Sequence, residues 1–423
     1  MNVMIDASVL GEGFLYPHAR TGVHRVAGNL IRQLLKAREQ CAVTLVAPAS
    51  PVVCQAAYAV TRADPVFRRA AFVCPWRLHV ARQLRKVEQR LTRRARGRAA
   101  DLLRRAVQRL ETADALIPPR ALDRMQIYHS PFYGFPSVTD APARAGRLRR
   151  FLHIHDMIPI VRPEFHPEPV RDSFRRAVDG LTPNDWVFTG CENTKRDLQA
   201  YLPWFPPERV VIVHNAASEL FYPCPDPARL AAVRTRYGLP EAPYLLSVAT
   251  LEPRKNLAHV VEAFTELLRR QSGLALNLVL VGARGWMLDD FLQRLGAARD
   301  FADRIFLTGY VADEDLASLY SGAVAFLYMS HYEGFCLPPV EAMQCGVPVV
   351  VSNTSSLPEV VGDAGIMLDP RDRQGLVEVL ARLYASPAWR AELGRRSRAQ
   401  AATFSWERFG RETLAAYRRS EKP

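Results

Sequence analysis

Two glutamates, Glu333 and Glu341, enclose the stretch GFCLPPV. Gly334 lets backbone approach a ligand with no Cβ in the way. Pro338 and Pro339 suit the first turn of a helix, where a missing N–H is no loss. That helix start offers free N–H groups and the positive end of a dipole. A carboxylate beside it accepts hydrogen bonds from hydroxyls, and the paired hydroxyls of a ribose suit a carboxylate's two oxygens. On this reading Glu341 holds a ribose. The competing reading makes Glu341 a residue that merely favours the helix dipole and Glu333 a solvated turn residue. Upstream, LSVATLEPRKNL sets Arg254 and Lys255 after a strand and before a helix. Two cations there make a diphosphate clamp, with Arg binding as a fork and Lys as a point charge. Otherwise they are a solvated pair on a loop.

These residues need a scaffold that brings strand ends together. The chain opens with the strand VMIDASVL, a loop GEGFLYPHARTG and a helix VHRVAGNLIRQLLKAR. AVTLVAP is a short strand, and the stretch from Ser50 to Arg120 is irregular, then basic and helical. MQIYHSP and RRFLHIHDMIPI are strand-like runs ending in polar residues. DWVFTGCENTKRDLQAYL is strand, loop and helix, with Asn193 or Thr194 as N-cap. After the Pro-rich interval between Ser218 and Pro243, a second series of strands and helices begins at YLLSVATLE and closes with the amphipathic helix FSWERFGRETLAAYRR. Strands separated by helices imply an α/β chain with parallel sheets in both halves. The expected domains are 1–218, with a basic helical insertion near 80–110, then 219–403, and a final helix over 404–423. Open parallel sheets bind ligands beyond the carboxyl ends of their strands. That directs attention to Gly22, His155, 250–256, 282–285, 309–311 and 333–341.

With 423 residues, nearly half of them hydrophobic, two domains are expected. No apolar run reaches the roughly 18 residues of a spanning helix. MNVMIDASVLG lacks a basic segment followed by an apolar one, so it does not read as a signal peptide. The seven scattered cysteines fit a reducing cytoplasm, with Cys41, Cys191 and Cys345 as small core residues. Much of the +13 formal charge lies between Arg82 and Leu110, where apolar residues recur at helical spacing. Such a helix either lies solvated over the core or rests on an anionic membrane surface. Nucleic acid is the weaker partner, because no aromatics interleave with the arginines. GEGFLY lacks the third glycine of a dinucleotide fingerprint. Asp313-Glu314-Asp315 has the letters of a metal-binding motif, but it opens a helix where acids belong in the first turn, so no metal is expected. Ser352 and Asn353 follow the strand VPVVV, either near a ligand or as turn formers.

The segment EGFCLPPVEAMQCGVPVVVSNTSSLPEVVGDAG resembles the donor-binding signature of retaining glycosyltransferases of family 4. LSVATLEPRKNLAHVVEAF, VLVGARGW and LTGYVADEDLASLYSGA resemble the same family in the same order. RTGVHRVAGNL resembles its glycine loop, and HIHDMIPIVRP the His-Asp segment of its bacterial polysaccharide members, the mannosyl-adding ones most of all. The resemblance implies the GT-B fold, two Rossmann-like domains with parallel sheets facing across a cleft and a closing helix that crosses back to the first domain. It implies that Glu341 binds the donor ribose and that Arg254 and Lys255 neutralise the leaving diphosphate. Glu333 would sit by the donor sugar, with backbone groups of Gly334 and Phe335 at its hydroxyls. Gly22 would admit the diphosphate from the other domain, His155 would lie beside the reacting sugar, and Val311 would meet the base through its backbone. Asp156 would either orient His155 or cap the next turn.

The implied reaction is transfer of a hexose from a sugar nucleotide, with GDP-mannose the first donor and UDP-sugars the second, and no further cofactor. The implied acceptor is a lipid-linked or polysaccharide-precursor saccharide at the cytoplasmic membrane face. Two rivals stand beside this. An epimerase on the same fold would turn over donor without acceptor. A basic membrane- or nucleic-acid-binding protein would carry a degenerate site.

Overall fold

The computed structural model describes residues 1–16, 22–73, 116–283, 285, 289–297 and 299–421, with isolated positions at 84, 87, 102, 103 and 105. The basic helix expected over 82–110 otherwise lies outside the described residues. Strands β1 (Asn2–Asp6), β2 (Ala42–Val46), β3 (Ala71–Phe72), β4 (Ile127–Ser130), β5 (Arg149–Ile154), β6 (Trp186–Thr189) and β7 (Val210–Ile212) form one sheet in the order β3-β2-β1-β4-β5-β6-β7. A second sheet, in the order β10-β9-β8-β11-β12-β13, is built from β8 (Tyr244–Val248), β9 (Asn277–Val281), β10 (Ile305–Gly309), β11 (Ala325–Tyr328), β12 (Val349–Ser352) and β13 (Ile366–Leu368). Every strand pair is parallel, as in Ile5 opposite Leu45 and Val248 opposite Val281. Both faces of each sheet are covered by helices, which explains why runs such as NLVLV in β9 are apolar at nearly every position and buried throughout.

Two stretches differ from the sequence expectation. GEGFL is not a loop: Ser8–Leu15 is a helix, begun where Asp6 accepts a hydrogen bond from the Ser8 N–H at 2.8 Å. Its glycines serve packing. A Cβ on Gly11 would stand 2.3 Å from the Val53 carbonyl oxygen, and one on Gly13 would meet the His24 ring. The helix that Gly11 touches, Pro51–Ala63, falls in the stretch expected to be irregular. Ser50 caps it by accepting from the Val53 N–H, and Val53, Cys54, Ala56 and Ala57 are buried.

The helix Trp406–Arg419 does return to the first domain. Trp406, Phe409, Leu414 and Tyr417 join a core with Val26, Leu30 and Leu34 of the helix Gly22–Lys36 and with Val3 and Ile5 of β1. The remaining large clusters lie on the two faces of the second sheet, one around Tyr320, Phe326 and Val340 and the other around Phe264, Leu280 and Leu380. No helix among the described residues is long and apolar enough to cross a membrane.

Candidate functional site

Glu333 lies in the loop after β11, where burial leaves it 6% exposed. Its carboxylate is held by both predicted cations: Arg254 Nη1 lies 2.7 Å from Oε2 and Lys255 Nζ 2.7 Å from Oε1. Ser330 Oγ donates to Oε1 at 2.5 Å. Burial pushes the Glu333 carboxyl up, but Arg254, Lys255 and Ser330 outweigh it and hold it at about 2. Arg254 also pairs with Glu252 at 2.5 Å and donates to the Tyr332 carbonyl, and Lys255 also donates to the Tyr328 hydroxyl. Two cations thus face two carboxylates. A diphosphate arriving here meets positive groups already fixed in direction, and its gain comes from their preorganisation rather than from excess charge.

The loop then runs into the helix Leu337–Gln344, which opens on Cys336 in the left-handed region with no side-chain cap; Pro338 and Pro339 bring no N–H, so of its first three positions only Leu337 offers one to a ligand. Gly22, the first residue of the helix from the other domain, packs here: a Cβ on it would stand 3.4 Å from Leu337 Cδ1. The two helix starts therefore meet across the cleft. Glu341, one turn into its helix, is 2% exposed. Its Oε2 accepts from the Tyr320 hydroxyl at 3.1 Å, and its Oε1 lies 2.5 Å from Nη1 of Arg25, a residue of the first domain.

At Gly334 the backbones of the two domains lie against each other. A Cβ there would stand 2.4 Å from the His155 carbonyl oxygen and 2.9 Å from Asp156 Cβ. The Gly334 carbonyl accepts from Cys191 Sγ at 2.8 Å. Phe335 is buried beside His214 and Phe404. Cys191, not Asn193 or Thr194, caps the helix Glu192–Tyr201, its sulfur accepting from the Thr194 N–H. The domains are further joined by Glu359, which accepts from the Glu192 N–H and pairs with His214, and by Tyr332, whose hydroxyl donates to Asp197.

His155 Nε2 is 2.8 Å from the Pro131 carbonyl. A carbonyl only accepts, so Nε2 carries the proton and Nδ1 of the neutral ring is an acceptor suited to a sugar hydroxyl. Burial lowers the pKa of His155 and favours that neutral form. The ring stacks on His153 at 4.8 Å, and His153 stacks on His129, whose Nδ1 lies 2.5 Å from the Tyr417 hydroxyl. Asp156 accepts from the Ile158 N–H at 3.0 Å, so it caps the turn.

Val311 buries its side chain, while its backbone N–H and C=O have no hydrogen-bond partner among the described residues. Asp313 binds Arg25 at 2.8 Å, whereas Asp315 binds Arg236 and Tyr237, so these two acids face different partners. Ser352, the last residue of β12, donates to the Ser330 carbonyl, and the Asn353 N–H bonds the Leu368 carbonyl at the end of β13, so both extend the strand pairing. A cavity of about 460 Å³ lies on the other side of the Arg254 loop, lined in part by Phe165, His259, His331 and Arg371.

The structure thus gathers Arg254, Lys255 and Glu333 in one cluster, with His155 against Gly334 and Gly22 against Leu337. Sequence reading missed Arg25, Glu252, Tyr320 and Cys191. Nothing in VHRVAGNL marks Arg25 as other than a surface cation.

Two facing parallel-sheet domains with charged groups at their carboxyl edges define a GT-B protein. Sucrose-phosphate synthase from Thermosynechococcus elongatus superposes with a TM-score of 0.64 at 20% identity, over 99% of this chain and 98% of that one. The HepE protein of Anabaena, solved in complex with UDP, does so at 0.64 and 17% identity over 98% of each. Residues 233–400 match the family described as glycosyl transferases group 1. The chain is 35% identical over 345 residues to the O-antigen chain mannosyltransferase B of Escherichia coli, spanning 79% of this chain and 87% of that protein. The chain belongs to the group 1 glycosyl transferases. It is a glycosyltransferase that draws on a sugar nucleotide.

Proposed function

We propose that the chain transfers mannose from GDP-mannose to a lipid-linked saccharide acceptor, with retention of anomeric configuration and without a metal, at the cytoplasmic face of the membrane. The observation that carries this reading is the convergence of Arg254, Lys255 and Glu333 in one buried cluster beside the open helix start at Leu337. Breaking the sugar–phosphate bond builds negative charge on the diphosphate, which Lys255, Arg254 and the Leu337 N–H are placed to stabilise. Glu341 holds the ribose and the Val311 backbone meets the base. His155 Nδ1 accepts from a hydroxyl of the transferred sugar. The relative named as an O-antigen mannosyltransferase supports mannose as the sugar.

Retaining hydrolases place two carboxylates about 5 Å apart and use one as a nucleophile. Glu333 is poorly suited to that role, because two cations and a hydroxyl already take its oxygens. Attack by the acceptor on the face the diphosphate leaves, with the departing phosphate taking the acceptor proton, fits the site better.

A thermal-shift screen of GDP, UDP, GDP-mannose and UDP-sugars tests the donor. GDP and GDP-mannose are expected to stabilise the protein by about 2.7 kcal/mol at a hundredfold excess over Kd. Stabilisation by UDP and UDP-sugars alone would overturn the GDP assignment. Release of mannose from GDP-mannose onto a saccharide acceptor tests the transfer. An isomerised sugar nucleotide formed without acceptor would instead point to epimerisation.

A further inference from the structure

Arg25 sits one turn into the helix Gly22–Lys36 of the first domain, yet its guanidinium reaches the second. One arm binds Glu341 Oε1 at 2.5 Å and the other binds Asp313 Oδ1 at 2.8 Å. The contact uses both prongs of the fork, so one cation serves both acids. Asp313 begins the helix that follows Val311, so the guanidinium lies between the ribose carboxylate and the base-side loop.

Glu341 needs this partner. It is 2% exposed, and the groups its own domain turns toward it are the Tyr320 hydroxyl, Asp313 and the Cys345 thiol. None of these is a cation. Burial and Asp313 push the Glu341 carboxyl up, Arg25 and the Tyr320 hydroxyl pull it down, and the balance leaves it above its ordinary 4.5. A buried carboxylate deprived of its one cation takes up a proton, and a protonated carboxyl gives up part of its capacity to accept from ribose hydroxyls.

We propose that Arg25 is a positioning residue of the nucleoside site: from the opposite domain it holds the Glu341 carboxylate charged and oriented for the ribose hydroxyls, so that the site is complete only when the domains are together. The inference rests on the assignment of Glu341 to the ribose. It adds a dependence of nucleotide grip on closure, carried by a cation the second domain does not itself supply.

Calorimetric binding of GDP and of UDP to the full chain tests it, from pH 5.5 to 8.5 at constant salt, with wild type, Arg25→Gln, Arg25→Lys and Glu341→Gln. Whichever nucleotide the wild type prefers should bind it with a shallower pH dependence than Arg25→Gln shows. Arg25→Gln should bind at least tenfold more weakly at pH 6 and recover as pH rises, because raising pH restores the carboxylate. Arg25→Lys, which keeps the charge, should lose only about threefold and keep the shallow profile of the wild type; this variant also separates charge from any general loss of folding, which thermal melts will monitor. Wild-type affinity in Arg25→Gln at every pH overturns the proposal. So does a weakening that is uniform across pH and unrelieved by lysine, which marks a merely structural contact. Unchanged affinity in Glu341→Gln removes the ribose assignment itself, a failure distinct from one at Arg25.

Discussion

Glu333→Gln is expected to destabilise the folded protein by about 3–5 kcal/mol, the usual result of removing one partner from a buried ion pair, and to cut turnover at least 10²-fold. Glutamine preserves shape but leaves Arg254 and Lys255 with a single remaining carboxylate, that of Glu252, which pairs with Arg254 alone. The loss extends beyond stability, since the same cations must point at a diphosphate. Denaturant unfolding and initial rates measure the two effects separately.

The pH dependence supplies a second check. The folded-state carboxyl is held at about 2, below its ordinary 4.5. Its contribution is therefore present above 4.5 and drains away as pH falls from there toward 2. The stability gap between wild type and Glu333→Gln should narrow over that window. Equal stabilities at neutral pH would show that the cluster is not the buried, mutually neutralised group its geometry describes.

Gly334→Ala should be the second severe change, for a different reason. The added methyl meets the His155 carbonyl oxygen at 2.4 Å and Asp156 Cβ at 2.9 Å. Neither is the far end of a flexible side chain, so the domains must separate by a fraction of an ångström to about 1 Å. A misplacement of that size is enough to cost about 10²-fold in rate. Each domain keeps its own core, so the melting temperature should move little. A fall in turnover with nearly unchanged melting is thus the expected signature, and normal turnover would mean the contact is not maintained during catalysis.

The two halves and their parallel sheets were legible because buried parallel strands are apolar at successive positions and helices repeat at their own period; the last helix was legible as an amphipathic helix, and its return to the first domain came from the family resemblance alone. That Arg254, Lys255 and Glu333 lie at strand ends was legible in the alternation of apolar runs and polar loops, and the structure brings the three together. The Ser8–Leu15 helix was not. Its glycines mimic a loop, and only the approach of the Val53 backbone to Gly11 explains them. Cys191 was read as core filling, and its sulfur is indeed buried, but it also caps a helix and reaches the Gly334 carbonyl. Arg25 was invisible for the same reason: its partners lie 288 and 316 positions away along the chain, and no local pattern encodes a bond across a cleft.

The returning helix has a consequence for how the protein comes to be folded. Trp406, Phe409 and Tyr417 complete a core whose other members include Val3, Ile5 and Leu30. During synthesis the first sheet must wait, with one flank uncovered, until the entire second unit and residues 406–419 have left the ribosome. The order of emergence along the chain is then not the order of completion, and the second sheet is the one able to reach its final form while the first is still exposed to chaperones.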